Sequence, residues 1–301
     1  MKSQIKWVFI LMMFVLLSSK YSYAVISLPW SSTFNYGACS QRGAGGLPDC
    51  GTTAPDGIYY DWGAMLLNGK PTEVVAAANN PAGGGGNGHR VWVGDGDNVL
   101  SGTVMVEFPS TQKEIWVRWY ERYQSGFQWN PMGYSKELYF STAGAGISAI
   151  VEPYSGGYAA VAQGTPNYYQ VNTSYGWNSI MGGSKSDGLF HCYEVHLKMD
   201  TNSANGIGQI WIDGTLRASN TAVNWSNGDS SARNGWTKFE VKSNQNAPTN
   251  GQDMYVDFDD MAVVNTTPTN RDAQGNPFIG LIGGGSPVAT KLVAPTNLKI
   301  N

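Results

Sequence analysis

Residues 192–218 read CYEVHLKMDTNSANGIGQIWIDGTLRA, and this stretch decides what kind of chain this is. From Cys192 to Met199 apolar and polar residues alternate, the two-residue period of a strand with one buried face. His191, Tyr193, Val195, Leu197 and Met199 fall on the core side; Cys192, Glu194, His196 and Lys198 fall on the other. Asn205-Gly206 marks a bend, and Asp213-Gly214 separates two further alternating runs, the sequence of a type I′ hairpin. Strand, bend, strand, tight turn and strand make antiparallel sheet.

The same pattern extends in both directions. Strand-like runs occur at Arg90–Val93, Gly102–Phe108, Glu114–Tyr123, Lys136–Ser141, Ser148–Pro153, Tyr158–Gln163, Thr237–Ser243 and Met254–Val264. Helical periodicity is nearly absent, and the best candidate, Tyr60–Leu67, is short and contains Gly63. Short strands separated by Gly, Asn, Asp and Ser predict a sandwich or a barrel. AAANNPAGGGGNGHR (76–90) reads as a flexible surface loop. No boundary divides the strands into two cores, so residues 25–265 are expected to form one domain. Residues 266–301, rich in Pro, Gly, Thr and Asn, read as a tail lying on it.

Composition narrows the class. The 301 residues include 38 Gly, 16 Tyr and 11 Trp, with 14% charged residues and a net charge of −3. That balance excludes a general nucleic-acid binder, which needs a clustered basic excess. With 42% hydrophobic and 12% aromatic residues, the low charge accompanies a packed core rather than disorder. Lys2 and Lys6 precede the apolar run Trp7–Leu17, and Ser22-Tyr23-Ala24 is a small-x-small cleavage site. Residues 1–24 therefore read as a signal peptide and the mature chain as secreted, extracellular or periplasmic. No later segment approaches the roughly 20 apolar residues of a membrane span. Of 3 cysteines, Cys39 and Cys50 lie close together in a Gly- and Pro-containing loop and are expected to pair in an oxidising compartment. Cys192 is expected to be a buried thiol.

Residues 192–218, followed by MYVDFDDMAVVN (254–265), resemble the C-terminal half of concanavalin A-like jelly rolls. There an aromatic-x-Glu strand leads into an NG…W-x-DG hairpin, and an Asp-rich last strand pairs with the first. LPWSSTFNYG (28–37) is similar to that first strand. The resemblance covers most of residues 25–265 and implies an all-β jelly-roll sandwich of two antiparallel sheets with a concave groove and a carbohydrate-related function. Its motifs are structural and identify no activity.

The chemistry is sought on WVRWYERYQ (116–124). Ile115, Val117, Trp119 and Tyr123 share one face, interrupted by Glu121; Trp116, Arg118, Tyr120, Arg122 and Gln124 share the other. Aromatic rings stack on the apolar faces of sugars, and guanidinium forks pair with carboxylates or sulfates. The second face therefore reads as the floor of a groove for an acidic glycan, the alternative being rings and arginines stacked on each other beneath a covering loop. Glu194, His196 and Lys198 fall within reach of one ligand, and Lys136, Glu137 and Tyr139 add candidates on KELYF.

Hydrolysis by jelly-roll glucanases uses carboxylates spaced Glu-x-Asp-x-x-Glu, which this chain lacks. Elimination at a uronic acid instead needs a group to neutralise the carboxylate, a base for the C5 proton and an acid for the leaving oxygen. Arg118, His196, Tyr120 and Tyr139 suit those catalytic roles, and Trp116, Arg122, Gln124, Lys136, Glu194 and Lys198 suit substrate binding. In residue type the chain is similar to jelly-roll glucuronan and alginate lyases, without their Arg-x-Glu-Leu-Arg or Gln-Ile-His patterns. Such chemistry requires no cofactor. Asp95, Asp97 and Asn98 in VGDGDNV, with Asp257 and Asp259 in DFDD, are candidate ligands of a structural calcium ion, although Asp-Gly also makes ordinary turns. Three readings stand: a lyase for an acidic polysaccharide, a lectin-like or matrix protein binding such a glycan, and a self-assembling protein whose tail adds a strand to a neighbour.

Overall fold

The computed structural model describes residues 26–37, 39–41, 54–61, 72–93, 103–127, 135–144, 146–154, 158–164, 187–245 and 252–283. Among them there is no α-helix; the regular elements are strands and three short 3-10 turns. The strands are β1 (Trp30–Ser32), β2 (Cys39–Gln41), β3 (Tyr59–Asp61), β4 (Thr72–Val75), β5 (Gly88–Val93), β6 (Thr103–Gln112), β7 (Glu114–Tyr123) and β8 (Ser135–Thr142). They continue as β9 (Ser148–Tyr154), β10 (Tyr158–Gly164), β11 (His191–Lys198), β12 (Gly206–Ile212), β13 (Thr215–Val223), β14 (Trp236–Gln245) and β15 (Met254–Val264).

Two antiparallel sheets form a jelly-roll β-sandwich. The larger runs β13-β12-β11-β7-β15-β5-β4-β2, with β1 also on β15; the smaller runs β10-β9-β8-β14-β6-β3. Trp30 stands opposite Val263, so the first strand pairs with the last. At the β12–β13 turn Asp213 and Gly214 have φ of 50° and 74°, the positive pair that a type I′ hairpin demands.

The inward faces bury Val117, Trp119, Val195, Leu197, Phe140, Phe239, Val256 and Phe258 in one continuous core. Each such side chain, fully removed from water, stabilises by roughly 1.5–3 kcal/mol. Trp119 stacks on Tyr193 with centroids 5.4 Å apart, and its indole N–H donates to Glu121 at 3.1 Å. The carboxylate that interrupts the apolar face is thus buried with a partner. Glu137 accepts a hydrogen bond from the Tyr123 hydroxyl across the sandwich. His89 stacks on Phe34 inside the core, where burial pushes its pKa down to about 3.

Two readings change. The Gly-rich stretch 76–90 is not one plain loop: 3-10 turns at Ala76–Ala78 and Pro81–Gly83 lead into β5 at Gly88. The helix candidate begins instead with strand β3, and residues 62–67 lie outside the described residues. The signal segment, Cys50, the Cys39 side chain, Asp95, Asp97 and Asn98 also lie outside them.

Candidate functional site

Strand register turns the outward face of the larger sheet into rows of side chains running across the strands. Trp116 stands opposite His196, and His196 opposite Gln209. Arg118, Glu194 and Trp211 form the next row, and Tyr120 stands between Asp259 and Cys192 in the third. The fourth row is Glu73, Arg90, Asp257 and Arg122, and Trp92 stands opposite Tyr255 beside it. Parity alone puts these residues on one face, because their in-between neighbours supply the core.

The first three rows are covered by the chain itself. Residues 276–282 cross them and bond almost wholly through main-chain groups. Trp116 Nε1 donates to the Pro277 carbonyl at 3.0 Å, and Arg118 Nη1 donates to the Gly280 carbonyl at 3.0 Å. The N–H groups of Ile279 and Gly280 donate to the two Glu194 oxygens at 2.6 and 3.0 Å, and that of Ile282 donates to the Tyr120 hydroxyl at 3.0 Å. Phe278 stacks on Trp211, centroids 6.0 Å apart, while Trp211 Nε1 donates to Asp272 at 2.8 Å. Asp272 holds the turn ahead of this segment by accepting from the N–H groups of Gln274 and Asn276. Trp116, Glu194, His196 and Trp211 are left no more than 3% exposed. The open groove expected over this part of β7 is therefore corrected: its floor carries the chain's own tail.

Electrostatics follow the cover. Burial drives the Glu194 pKa up to about 7, against the opposing pull of the Gly280 and Ile279 N–H groups and the Arg118 charge. Burial likewise raises the Tyr120 phenol and pushes the Cys192 thiol up to about 12. His196 is stacked on Trp116 at 4.2 Å, its Nδ1 2.8 Å from Gln209 Oε1 and its Nε2 2.8 Å from Glu114 Oε1. Neither ring nitrogen is left to take a proton from a ligand. Lys198 pairs with Glu114 at 3.2 Å at the margin of this half.

The fourth row is different. Asp257, fully buried, receives Arg90 through Nε at 2.7 Å and Nη2 at 3.0 Å, and Arg122 through Nε at 2.9 Å and Nη2 at 2.5 Å. Both Nη2 groups also donate to the Ala77 carbonyl, supplied by the first 3-10 turn. The Arg90 guanidinium lies 3.7 Å from the Tyr255 ring centroid, and Arg122 lies 4.6 Å from that of Phe190. Trp92, Tyr255, Phe190, Arg122 and Gln124 are all half-buried rather than sealed. Gln124 accepts from the Tyr255 N–H at 3.1 Å.

Of the residues expected to act together, Trp116, Arg118, Tyr120, Arg122, Glu194, His196 and Lys198 do share this face. Tyr139 and Lys136 do not: they lie on β8 of the smaller sheet, and the sandwich core separates the two outer faces. Arg90, Trp92 and Tyr255 were missed, although RVWV alternates and places the first two on one face. Asp259 accepts from the N–H groups of Asn80 and Asp260, and burial drives its pKa up to about 7. Asp257 is engaged by two guanidinium groups. Among the described residues no group of three or more His, Cys, Asp or Glu could hold a metal ion. No helix among them is long and apolar enough to cross a membrane.

No protein-family model matches the chain, and no curated protein matches it. Solved structures overlap it at low identity. A double mutant of the alginate lyase Aly36B, in complex with alginate trisaccharide, is 18% identical, with 60% of this chain and 82% of that chain covered and a TM-score of 0.45. The alginate lyase vAL-1 from Chlorella virus is 12% identical over 61% of this chain and 86% of that chain, also at 0.45. The cellulose induced protein Cip1 is 15% identical over 65% and 85%, with a TM-score of 0.44. Overlaps of this size leave the functional argument to the residues themselves.

Proposed function

We propose that this chain is a secreted β-sandwich protein that binds an acidic polysaccharide at the open end of the larger sheet, without cleaving it. The observation that supports this reading is the split along β7. The residues suited to elimination, Arg118, Tyr120 and His196, are engaged by the chain's own groups, whereas Arg122 beside Arg90, Trp92 and Tyr255 still reaches solvent. A general base must come within hydrogen-bond reach of the proton that it removes. Stacking rings and guanidinium forks need only an accessible edge.

The test is incubation of the full chain with polyuronates while the ultraviolet absorbance of unsaturated uronate is followed, alongside retention on columns carrying the same polymers. Retention without a rise is the expected outcome, and a sustained rise would sink the non-catalytic reading. The lyase reading keeps one observation in its favour: Arg118, Tyr120, Glu194 and His196 do stand in adjacent rows. It requires residues 276–282 to leave, so absorbance that rises only after removal of residues 266–301 would restore it.

A further inference from the structure

We infer that Arg90 and Arg122, joined through Asp257, form a binding site for a single carboxylate or sulfate group carried on an extended glycan, with the Trp92 and Tyr255 rings beside it to take the sugar. The inference rests on the glycan-binding reading and adds the chemistry of recognition.

The hydrogen bonds of the two arginines carry it. β5 and β7 flank β15, so two arginines approach one buried carboxylate from opposite sides. Asp257 and the Ala77 carbonyl together take both Nε and both Nη2 groups. No partner among the described residues takes either Nη1, and the two side chains remain 11% and 20% exposed. Two cations sharing one anion leave one positive charge, fixed in direction by four charge-assisted bonds to Asp257. Such a preorganised fork suits planar or tetrahedral oxyanions. The other charged group of the row is Glu73, which accepts from Trp92 Nε1 at 3.0 Å and stands beyond Arg90. It is three strands from Arg122, about 14 Å at the usual strand spacing, so it weakens the Arg90 side far more than the Arg122 side. The anion therefore sits toward Arg122. Asp259 and Asp260, further along β15, are also carboxyls among the described residues; main-chain N–H groups hold Asp259, and the Asn80 side chain donates to Asp260.

The experiment is calorimetric titration of the full chain with an oligouronate, its carboxyl-reduced neutral counterpart and a sulfated neutral oligosaccharide of equal length. At least one acidic oligosaccharide should bind about tenfold tighter than the neutral one, and which of the two does so separates carboxylate from sulfate. Arg122→Gln should erase that preference while the protein stays folded, because Arg90 still neutralises Asp257; Glu73→Gln should increase it. A neutral oligosaccharide bound as tightly as its acidic parent, or an acidic preference surviving in Arg122→Gln, would overturn the anion site and leave glycan binding standing. If no oligosaccharide binds, the glycan reading fails, and inorganic sulfate decides the site. A melting temperature higher in sulfate than in chloride at equal ionic strength, with the difference absent in Arg122→Gln, keeps it; equal melts end it.

Discussion

Along β7, Trp116, Arg118 and Tyr120 give their polar groups to the backbone of residues 277–282, whereas the Arg122 side chain, two residues on from Tyr120, remains 20% exposed. Both ends of the strand are built from rings and guanidinium groups, and both alternate in the same phase. What separates them is the returning chain. Over the first end lie N–H and C=O groups of the tail; over the second the described residues place the Ala77 carbonyl on both arginines and the Phe190 ring against Arg122. A row of aromatic and cationic residues therefore shows that a strand bonds polar ligands edge-on; it does not show whether the ligand belongs to the chain.

The comparison breaks first if the covered end is not structural. Phe278→Ala removes a ring that is 1% exposed and stacked on Trp211, and should cost about 3–4 kcal/mol in urea unfolding while leaving acidic-glycan affinity unchanged. A stable Phe278→Ala protein with raised glycan affinity would reassign residues 276–282 as a displaceable cover. Next in size is the proton on Glu194. Its folded pKa, about 7, lies above its ordinary value of 4.5, so the folded state holds the proton longer. Stability from this group is undiminished below pH 4.5 and falls as the pH rises to 7, by on the order of 3 kcal/mol. Asp259, raised to about 7 by the same cause, adds a second slope in that window. Glu194→Gln should flatten roughly half of the decline in thermal unfolding between those pH values; a profile identical to wild type means that Glu194 is not buried beneath the tail.

Which parts of this were legible in the sequence follows from how each contact is made. β7 and β15 have the limits read from the sequence: in β7 ten alternating residues leave no second register, and β15 keeps its limits although its register against β7 shifts between Asp259 and Ala262. The Asp213-Gly214 turn was equally open to reading, and the pairing of LPWSSTFNYG with the last strand was implied by the resemblance. The strands CSQ, YYD and TEVV were not, since three or four residues carry too little alternation to separate from loop. The tail's seat was hidden for another reason. It bonds through main-chain amides and carbonyls, which every residue except proline's missing N–H carries alike. Sheet membership was hidden too: nothing local in KELYF tells which layer Tyr139 joins.

A smaller effect sharpens the contrast within β7. Arg118→Ala should lose about 1–2 kcal/mol of stability, through the Gly280 carbonyl and the Glu194 charge that it leaves, with glycan affinity intact. Arg122→Ala should do the reverse, weakening acidic-glycan binding by about 1.5–3 kcal/mol with a modest loss of stability. Equal effects of the two on both readouts would dissolve the distinction. The smallest effect concerns His191, whose Nδ1 lies 2.8 Å from Asp213 and Nε2 3.1 Å from Asp187. The hydrogen bond to Asp213 leads the causes that raise its pKa, so the ion pairs contribute fully below the ordinary value of 6.5 and are lost as pH climbs through the folded value. His191→Gln should remove a change below about 1 kcal/mol in that window, a size set by the pair's partial exposure, leaving the Glu194 slope in place.

Strand β15 has a consequence for the order of folding. It meets β7 along one edge and both β5 and β1 along the other, so three separate parts of the chain converge on its eleven residues. A chain emerging from the ribosome N-terminus first has Trp30–Ser32 long before Met261–Val263 exist to pair with it. Until then β7 lacks one neighbour, β5 has only β4, and the larger sheet is two unjoined fragments and a lone β1. Contacts spanning nearly the whole chain make closure slow, in the class of sandwiches that fold in milliseconds to seconds. The strand made last is the one that assembles the sheet, and the tail that seals Trp116 and Glu194 can dock only after it.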